Sequence, residues 1–261
     1  MTKSILCILT LIGFFFTSCV PNKDIIYLQK NNTTENQIIT ASPQKPYRLQ
    51  TNDLLNITIK SIDPKLVEAF NYSNQSQVIT SEQGNYFNGF SIDDHGNIRL
   101  PILGELNVLG FTIEEVSKKI EKKLLEEYFQ TEAGIFVNVK LAGFRYTING
   151  EVINTGTKVL YQDRVNIMEA IANAGDITIV GDRKDVKIFR SYPQGTETFS
   201  IDLTDINAMK SPVYYLQPND YIYVKPLKQK SWGTGKTGIE SLTTIVTLLS
   251  LFTTTYLLLT R

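Results

Sequence analysis

The spacing of hydrophobic residues predicts short strands and two helices in the middle of the chain. Hydrophobic side chains at every second position predict strands at residues 54–59, 135–141 and 186–189. Hydrophobic residues at helical spacing instead cover residues 113–124 and, over a shorter length, residues 167–174. Short strands packed on short helices are typical of the α+β class, which we therefore expect for this region.

The starts of both helices carry capping signals. Thr112 is followed three residues later by Glu115, which predicts a capping box that satisfies the free amide groups of the first turn. Asn166 and Glu169 repeat the spacing before the second helix. Gly175 follows this helix, where a left-handed backbone is favoured, and predicts its end.

A tight turn is predicted between two short strands at Asp93, Asp94, His95 and Gly96. Gly96 can adopt the positive φ that such a turn needs. Two carboxylates beside the only histidine also suggest a metal cluster, but adjacent residues on a tight turn point apart and further ligands are missing. No nucleophile elbow, phosphate loop or Cys-His pair is present. The sequence therefore predicts no catalytic, cofactor-binding or metal-binding residues.

Two segments of the chain repeat one pattern. Residues 49–53 read Leu-Gln-Thr-Asn-Asp and residues 216–220 read Leu-Gln-Pro-Asn-Asp, each followed by an alternating strand. Asn and Asp side chains form hydrogen bonds with the backbone that follows them, so this pattern favours turns. We interpret the repeat as one way of leading a turn into a strand, used twice.

The first 18 residues have the composition of a signal peptide. The apolar run at residues 5–16 is too short to cross a membrane, which takes about 20 residues. Small residues precede Cys19, which predicts a lipoprotein signal at residues 1–18 and a lipid on the Cys19 sulfur; the alternative is an ordinary secretory signal with an incidental cysteine. The only other cysteine, Cys7, leaves with the signal, so Cys19 has no disulfide partner. Residues 19–46 are predicted to be a lipidated start and polar tether.

The other end of the chain is an uncharged stretch. Residues 241–260 contain eleven apolar residues and nine Ser or Thr residues, between Glu240 and Arg261. Twenty helical residues extend about 30 Å, the thickness of a hydrocarbon core. We predict an amphipathic transmembrane helix at residues 239–261, after a linker at residues 228–238.

Hydroxyl side chains form a stripe on this helix. Three interpretations remain open: the stripe lines a water-filled pore, it packs against neighbouring helices, or its hydroxyls bond to carbonyls of their own helix in a simple anchor. The predicted pore-lining residues are Thr243, Thr244, Thr247, Ser250 and Thr254.

About 200 residues lie between the two ends, enough for two modest domains. We place them at residues 47–143 and 144–227. The chain has 26 basic and 26 acidic residues and no basic cluster, so a nucleic acid partner is not expected.

Residues 47–226 resemble the bacterial polysaccharide export family. Residues 49–57 look like the opening turn and strand of that family. The segment from Tyr146 to Val224 is similar to a soluble-ligand-binding β-grasp domain. The spacing of the export-domain signature is matched by Asp94, Gly96, Ile98, Pro101, Gly104, Leu106, Gly110, Thr112 and Glu115.

The chain also departs from the family pattern. Asp176 stands where a second glycine is expected after Gly175, and residues 64–90 match no part of the signature. The resemblance implies a polysaccharide export domain at residues 47–143, then a β-grasp-like domain at residues 144–227.

The same resemblance implies a function. It predicts an outer-membrane lipoprotein with its soluble domains in the periplasm, a subunit of a homo-oligomeric ring that passes capsular polysaccharide or exopolysaccharide to the cell surface. An inner-membrane polysaccharide co-polymerase, often a tyrosine kinase, is the implied partner. The alternative is an envelope lipoprotein that binds soluble glycan or peptidoglycan without exporting it.

Overall fold

A computed structural model describes two folded units, each with its own hydrophobic core. The predicted signal peptide and Cys19 lie outside the described residues. The described residues are 21–29, 46–74, 88–130, 133–192, 194–231 and 238–259.

The first unit contains a three-stranded antiparallel sheet and a separate hairpin. The strands are β1 (Leu54–Lys60), β2 (Phe90–Ser91), β3 (Asn97–Leu100), β4 (Gly104–Asn107) and β5 (Phe136–Leu141). In the sheet, β1 lies between β2 and β5, and the hairpin pairs β3 with β4. Alternate residues of β1 are buried, as expected for a sheet with one face on the core.

Helices cover the inner face of this sheet. A short helix α1 (Pro64–Val67) continues into a 3-10 segment, Glu68–Asn74. The longer helix α2 (Ile113–Glu127) buries its hydrophobic stripe in the core of the first unit. Thr112 and Glu115 form both hydrogen bonds of the predicted capping box, which confirms how the sequence begins this helix.

The second unit is built on a five-stranded mixed sheet. The strands are β6 (Phe144–Gly150), β7 (Gly156–Leu160), β8 (Gly181–Tyr192), β9 (Gly195–Ile201) and β10 (Tyr221–Pro226). Their order in the sheet is β7-β6-β10-β8-β9, in which only the β6–β10 pair is parallel.

Gly150 sits where β6 and β10 approach each other closely. Its φ is +94°, and a Cβ atom there would lie 2.0 Å from the backbone oxygen of Val224. No side chain fits at that distance, so the end of the parallel strand pair requires glycine.

One helix, α3 (Ile167–Asn173), packs on the second sheet. Asn166 and Glu169 form the predicted capping box at its start. Gly175 has a φ of +83° just past its end, as the sequence predicted. A 3-10 segment, Ile206–Lys210, follows β9 and precedes β10.

The N-terminal segment, residues 21–29, lies against the second unit. The backbone N–H of Leu28 donates to the oxygen of Leu203 at 3.0 Å, and Gln29 forms a parallel bridge with Asp205. Lys184 Nζ lies 2.5 Å from Asp24 Oδ1. These contacts bring the end of the chain nearest Cys19 to the second unit and not to the first.

The chain ends in two helices, α4 (Lys228–Ser231) and α5 (Gly238–Leu259). Within the described residues, no helix combines the length and the apolarity needed to cross a membrane. The prediction of a C-terminal transmembrane helix is therefore wrong. Hydroxyl residues recur throughout this helix, and they interrupt the apolar stretch that a membrane-crossing segment needs.

Candidate functional site at the junction of the two units

The two Asn-Asp turns, far apart in sequence, meet where the units join. The first turn comprises residues 49–53 and the second comprises residues 216–220. The Asn219 Nδ2 donates to the Asp53 Oδ1 at 3.2 Å, across a sequence separation of 166 residues. The Gln50 Nε2 donates to the backbone oxygen of Ser191 at 3.4 Å beside it. The repeated pattern therefore forms part of the contact between the units.

Both turns are closed by the same hydrogen bond. Asp53 Oδ2 accepts from the backbone N–H of Gln50 at 2.8 Å, and Asp220 Oδ2 accepts from that of Gln217 at 2.7 Å. Each aspartate closes a loop onto the residue three positions earlier, which is how a short polar side chain stabilises a turn. The repeat in sequence is thus a repeat in structure.

The residue before each aspartate has a left-handed backbone. The φ of Asn52 is +66° and that of Asn219 is +67°. Asparagine tolerates this region better than most residues because its short side chain can form local hydrogen bonds. The Asn-Asp pair therefore supplies both requirements of the turn: a positive φ and an acceptor for the turn amide.

In the second turn, the aspartate is paired with a buried arginine. Arg190 on β8 donates to both carboxylate oxygens of Asp220, at 2.9 Å from Nε and 2.8 Å from Nη2. Burial lowers the pKa of Arg190, but the hydrogen bonds and charge of Asp220 outweigh it and raise the pKa. Burial also raises the pKa of Asp220, and Arg190 opposes that rise. Two-point pairing of this kind fixes the orientation of both groups.

In the first turn, the aspartate has neutral partners. The Tyr47 hydroxyl donates to the Asp53 Oδ2 at 2.7 Å, on the same oxygen that accepts from Gln50. Burial raises the pKa of Asp53, and its hydrogen bonds to Gln50, Tyr47 and Asn219 oppose the rise. Burial and the neighbouring Asp53 charge also raise the pKa of Tyr47. A buried carboxyl group without a cation thus lies at the contact between the units.

A second cluster of polar side chains, around Asp176, holds the N-terminal segment on the second unit. Asp176 has a φ of +87°, and its Oδ1 accepts from the Tyr27 hydroxyl and from the backbone N–H of Ile177. The Arg183 guanidinium carbon lies 5.1 Å from the centre of the Tyr27 ring. Burial and the bond to Asp176 raise the pKa of Tyr27 to about 12. The Asp176 carboxylate is therefore an anchor for the N-terminal segment.

The hydroxyl residues of α5 are exposed and bonded to their own helix. Thr247 donates to the oxygen of Thr243 at 2.7 Å, Ser250 to that of Thr247 at 2.8 Å and Thr254 to that of Ser250 at 2.6 Å. The side chain of Thr244 lies outside the described residues. This bonding is what the anchor interpretation assumed, and pore lining stays a prediction.

The Asp-His turn is a simple hairpin turn. Asp93 Oδ1 accepts from the backbone N–H groups of His95 and Asn97, at 2.9 and 2.8 Å, and Gly96 has a φ of +82°. Across the described ranges, no group of three His, Cys, Asp or Glu side chains is placed to hold a metal ion. One oxygen of the Asp93 carboxylate thus accepts hydrogen bonds from the backbone of the turn that it stabilises.

Comparison with known proteins identifies the first unit. Residues 41–141 match the family described as polysaccharide biosynthesis/export protein. This part of the chain is similar to the polysaccharide export family. The matched residues include Tyr47 and Asp53, whereas Arg190 and Asp220 lie beyond them.

Two curated relatives are both named EPS I polysaccharide export outer membrane protein EpsA. The protein of Ralstonia nicotianae is 24% identical over 155 residues, which cover 58% of this chain and 40% of the relative. That of Ralstonia solanacearum is 22% identical over 169 residues, covering 63% of this chain and 44% of the relative. The chain spans less than half the length of either relative.

The sequence predicted both turns, but it did not predict that they touch. The repeated Leu-Gln-X-Asn-Asp pattern was the signal for the turns, because Asn and Asp side chains form hydrogen bonds with the backbone near them. The partners of each aspartate had no such signal. Tyr47 precedes its turn by only a few residues, while Arg190 comes from a strand 30 residues away from Asp220.

Proposed function

We propose that this chain is an outer-membrane polysaccharide export lipoprotein, a subunit of an oligomeric ring that passes capsular polysaccharide or exopolysaccharide to the cell surface. The observation that carries this proposal is the family match over residues 41–141, which covers nearly all of the first unit. The names of both curated relatives, which include polysaccharide export and outer membrane, support it. The role is transport and not catalysis.

The junction between the units supports a role in a ring. Copies of one chain close into a ring only if each copy presents its surfaces at a constant angle. The hydrogen bonds from Asn219 to Asp53 and from Gln50 to the backbone oxygen of Ser191 join the two units and restrain the angle between them. We propose that this restraint gives all subunits the same shape.

The N-terminal segment supports a membrane-proximal position for the second unit. Pro21, the first described residue, follows Cys19 by two positions, a reach of about 7 Å in an extended chain. Residues 24–29 are held on the second unit through Asp24, Tyr27 and Leu28. If Cys19 carries the lipid, the second unit is held close to the outer membrane, with both units in the periplasm.

The partners follow from the same proposal. The chain assembles with copies of itself, passes polysaccharide through the ring and binds an inner-membrane polysaccharide co-polymerase or tyrosine kinase. Within the assembly, we propose that hydroxyl side chains of α5 face the polysaccharide, because Ser and Thr exchange hydrogen bonds with water and sugar without a fixed charge. These residues are Thr243, Thr244, Thr247, Ser250 and Thr254.

A deletion strain tests the proposal directly. Surface and periplasmic polysaccharide are measured without the protein, then after complementation with the full chain, a chain truncated after Gly238, or Cys19→Ser. Cys7→Ser is the matched control, because Cys7 lies in the predicted signal peptide and is cleaved off with it. We expect surface polymer to disappear and to return with the full chain and with Cys7→Ser, but not with Cys19→Ser or the truncated chain.

The opposite result would favour a different function. Unchanged surface polymer in the deletion strain, with no second copy of the gene to compensate, contradicts export. A lipoprotein that binds glycan or peptidoglycan without exporting it would then fit better.

A further inference from the structure

The outer face of the first sheet forms a polar groove beside the second unit. Asn56 on β1 is opposite Lys140 on β5, and Thr58 is opposite Asn138. All four side chains point away from the core, because the residues between them on both strands are buried. The groove encloses about 200 Å³ and is lined by Asn56, Thr58, Asn138, Lys140, Leu141, Ala142 and Tyr161.

The polar residues of this groove are unusual for a sheet surface. Asparagine is disfavoured in strands, yet Asn56 and Asn138 lie on neighbouring strands and on the same face. Neither these amides nor the Thr58 hydroxyl is hydrogen bonded to another residue that the structure describes. Together they offer several donors and acceptors without a net charge.

The second unit contributes an aromatic side chain, Tyr161, to one side of the groove. Tyr161 directly follows β7, lines the groove and has 62% of its surface exposed. The Lys140 Nζ lies 3.7 Å from Asp163 Oδ1, so an opposite charge offsets the one cation that lines the groove. The groove therefore combines an exposed ring with uncharged hydrogen-bonding groups, and its two sides come from different units.

We propose that this groove binds an uncharged sugar residue of the exported polysaccharide, an inference that rests on the proposed function. Sugar hydroxyls both donate and accept hydrogen bonds, which matches the amides of Asn56 and Asn138 and the hydroxyl of Thr58. The C–H face of a sugar ring is apolar and packs on the exposed face of Tyr161. The volume suits one ring of a longer chain, so each subunit makes a brief contact with a passing polymer.

Calorimetric titration tests the binding. The probe is a set of short oligosaccharides made by partial hydrolysis of the extracellular polysaccharide of the source bacterium. The protein is the full chain in detergent. We expect saturable binding that Tyr161→Ala weakens about tenfold and Asn56→Ala/Asn138→Ala weakens by at least as much. Tyr161→Phe keeps the ring and is expected to bind like the unchanged protein.

Tyr128→Ala is the matched control. Tyr128 is also an exposed tyrosine, but it follows α2, which packs on the opposite face of the sheet. Its removal should leave oligosaccharide affinity unchanged. Equal affinity in the Tyr161→Ala variant, or absence of binding by the unchanged protein, would overturn the proposal. A loss of oligomer mass in the Asn56→Ala/Asn138→Ala variant would also overturn it, because a neighbouring copy would then cover the groove.

The groove and the proposed function fail in different ways. If the deletion strain keeps its surface polymer, the proposed function fails. If that strain loses the polymer but both groove variants restore it fully and bind no less sugar, only the groove proposal fails.

Discussion

The two Asn-Asp turns have the same left-handed asparagine and the same closing hydrogen bond, but different groups stabilise their buried carboxylates. Asp220 is held by two hydrogen bonds from the Arg190 guanidinium. Asp53 is held by a tyrosine hydroxyl, a backbone amide and the side chain of Asn219. Both aspartates are almost completely buried. One local solution has thus been placed in two electrostatic environments.

The different partners of the two aspartates distinguish the hydrogen bond that closes a turn from the contacts that the surrounding structure adds. A turn needs an acceptor for one backbone N–H, which either an aspartate or an asparagine supplies. The charge of Asp220 is needed because the buried guanidinium of Arg190 would otherwise have no counter-charge. Asp53 has no cation to satisfy, so its charge is a cost of burial. The comparison can therefore be tested by neutralising each aspartate in turn.

The largest effect is expected for Asp220→Asn. This substitution leaves the Arg190 cation buried without a counter-charge, so we expect a loss of about 3 kcal/mol in the free energy of unfolding. Asp53→Asn should lose less than about 1 kcal/mol, because an amide oxygen can still accept from Gln50 and Tyr47. Urea unfolding followed by circular dichroism measures both. Equal losses would contradict the distinction between the turns.

A smaller effect is expected for Tyr47→Phe. The substitution removes one hydrogen bond to Asp53 and keeps the ring, so we expect a loss of about 1 kcal/mol in the free energy of unfolding. Urea unfolding of Tyr47→Phe, Asp53→Ala and the double variant gives the coupling between the two side chains, because alanine has no acceptor for the hydroxyl. A coupling of zero would mean that the hydroxyl does not support the buried carboxylate.

The contact between the turns can be tested with a matched pair of glycine variants. Asn219→Gly and Asn52→Gly both remove an asparagine from a left-handed position, which glycine adopts without strain. Only Asn219 donates to Asp53, so Asn219→Gly should be less stable than Asn52→Gly by about 1 kcal/mol. Urea unfolding compares them. If they are equally stable, the bond between the units contributes nothing measurable.

The smallest effect is a dependence on pH. Because the pKa of Asp53 is raised in the folded protein, the folded state binds more protons than the unfolded state just above the ordinary carboxyl pKa. Stability from this group is therefore lost as pH rises from about 4 through the raised pKa. Asp53→Asn lacks this loss, so its stability relative to the unchanged protein should increase with pH. Urea titrations between about pH 4 and pH 7 measure the difference, and a constant difference would contradict the raised pKa.

The prediction of a transmembrane helix at residues 239–261 relied on the number of uncharged residues, and this criterion was insufficient. Twenty uncharged residues have the length to cross a bilayer, but nine of them are Ser or Thr. The structure confirms a helix at residues 238–259 and shows hydroxyls bonded within it, yet the described part lacks the apolarity of a membrane-crossing segment. Length and absence of charge predicted the helix correctly and its position in a membrane wrongly.

What the sequence determined by itself is local. The capping boxes at Thr112 and Asn166, the left-handed Gly96 and both Asn-Asp turns depend on groups only three or four residues apart, and all were predictable. Only the tertiary structure decided which distant side chains meet. The Tyr27–Asp176 bond joins residues 149 positions apart, and the Asn219–Asp53 bond joins residues 166 positions apart. Such contacts depend on how whole sheets pack, and no short stretch of sequence contains that information.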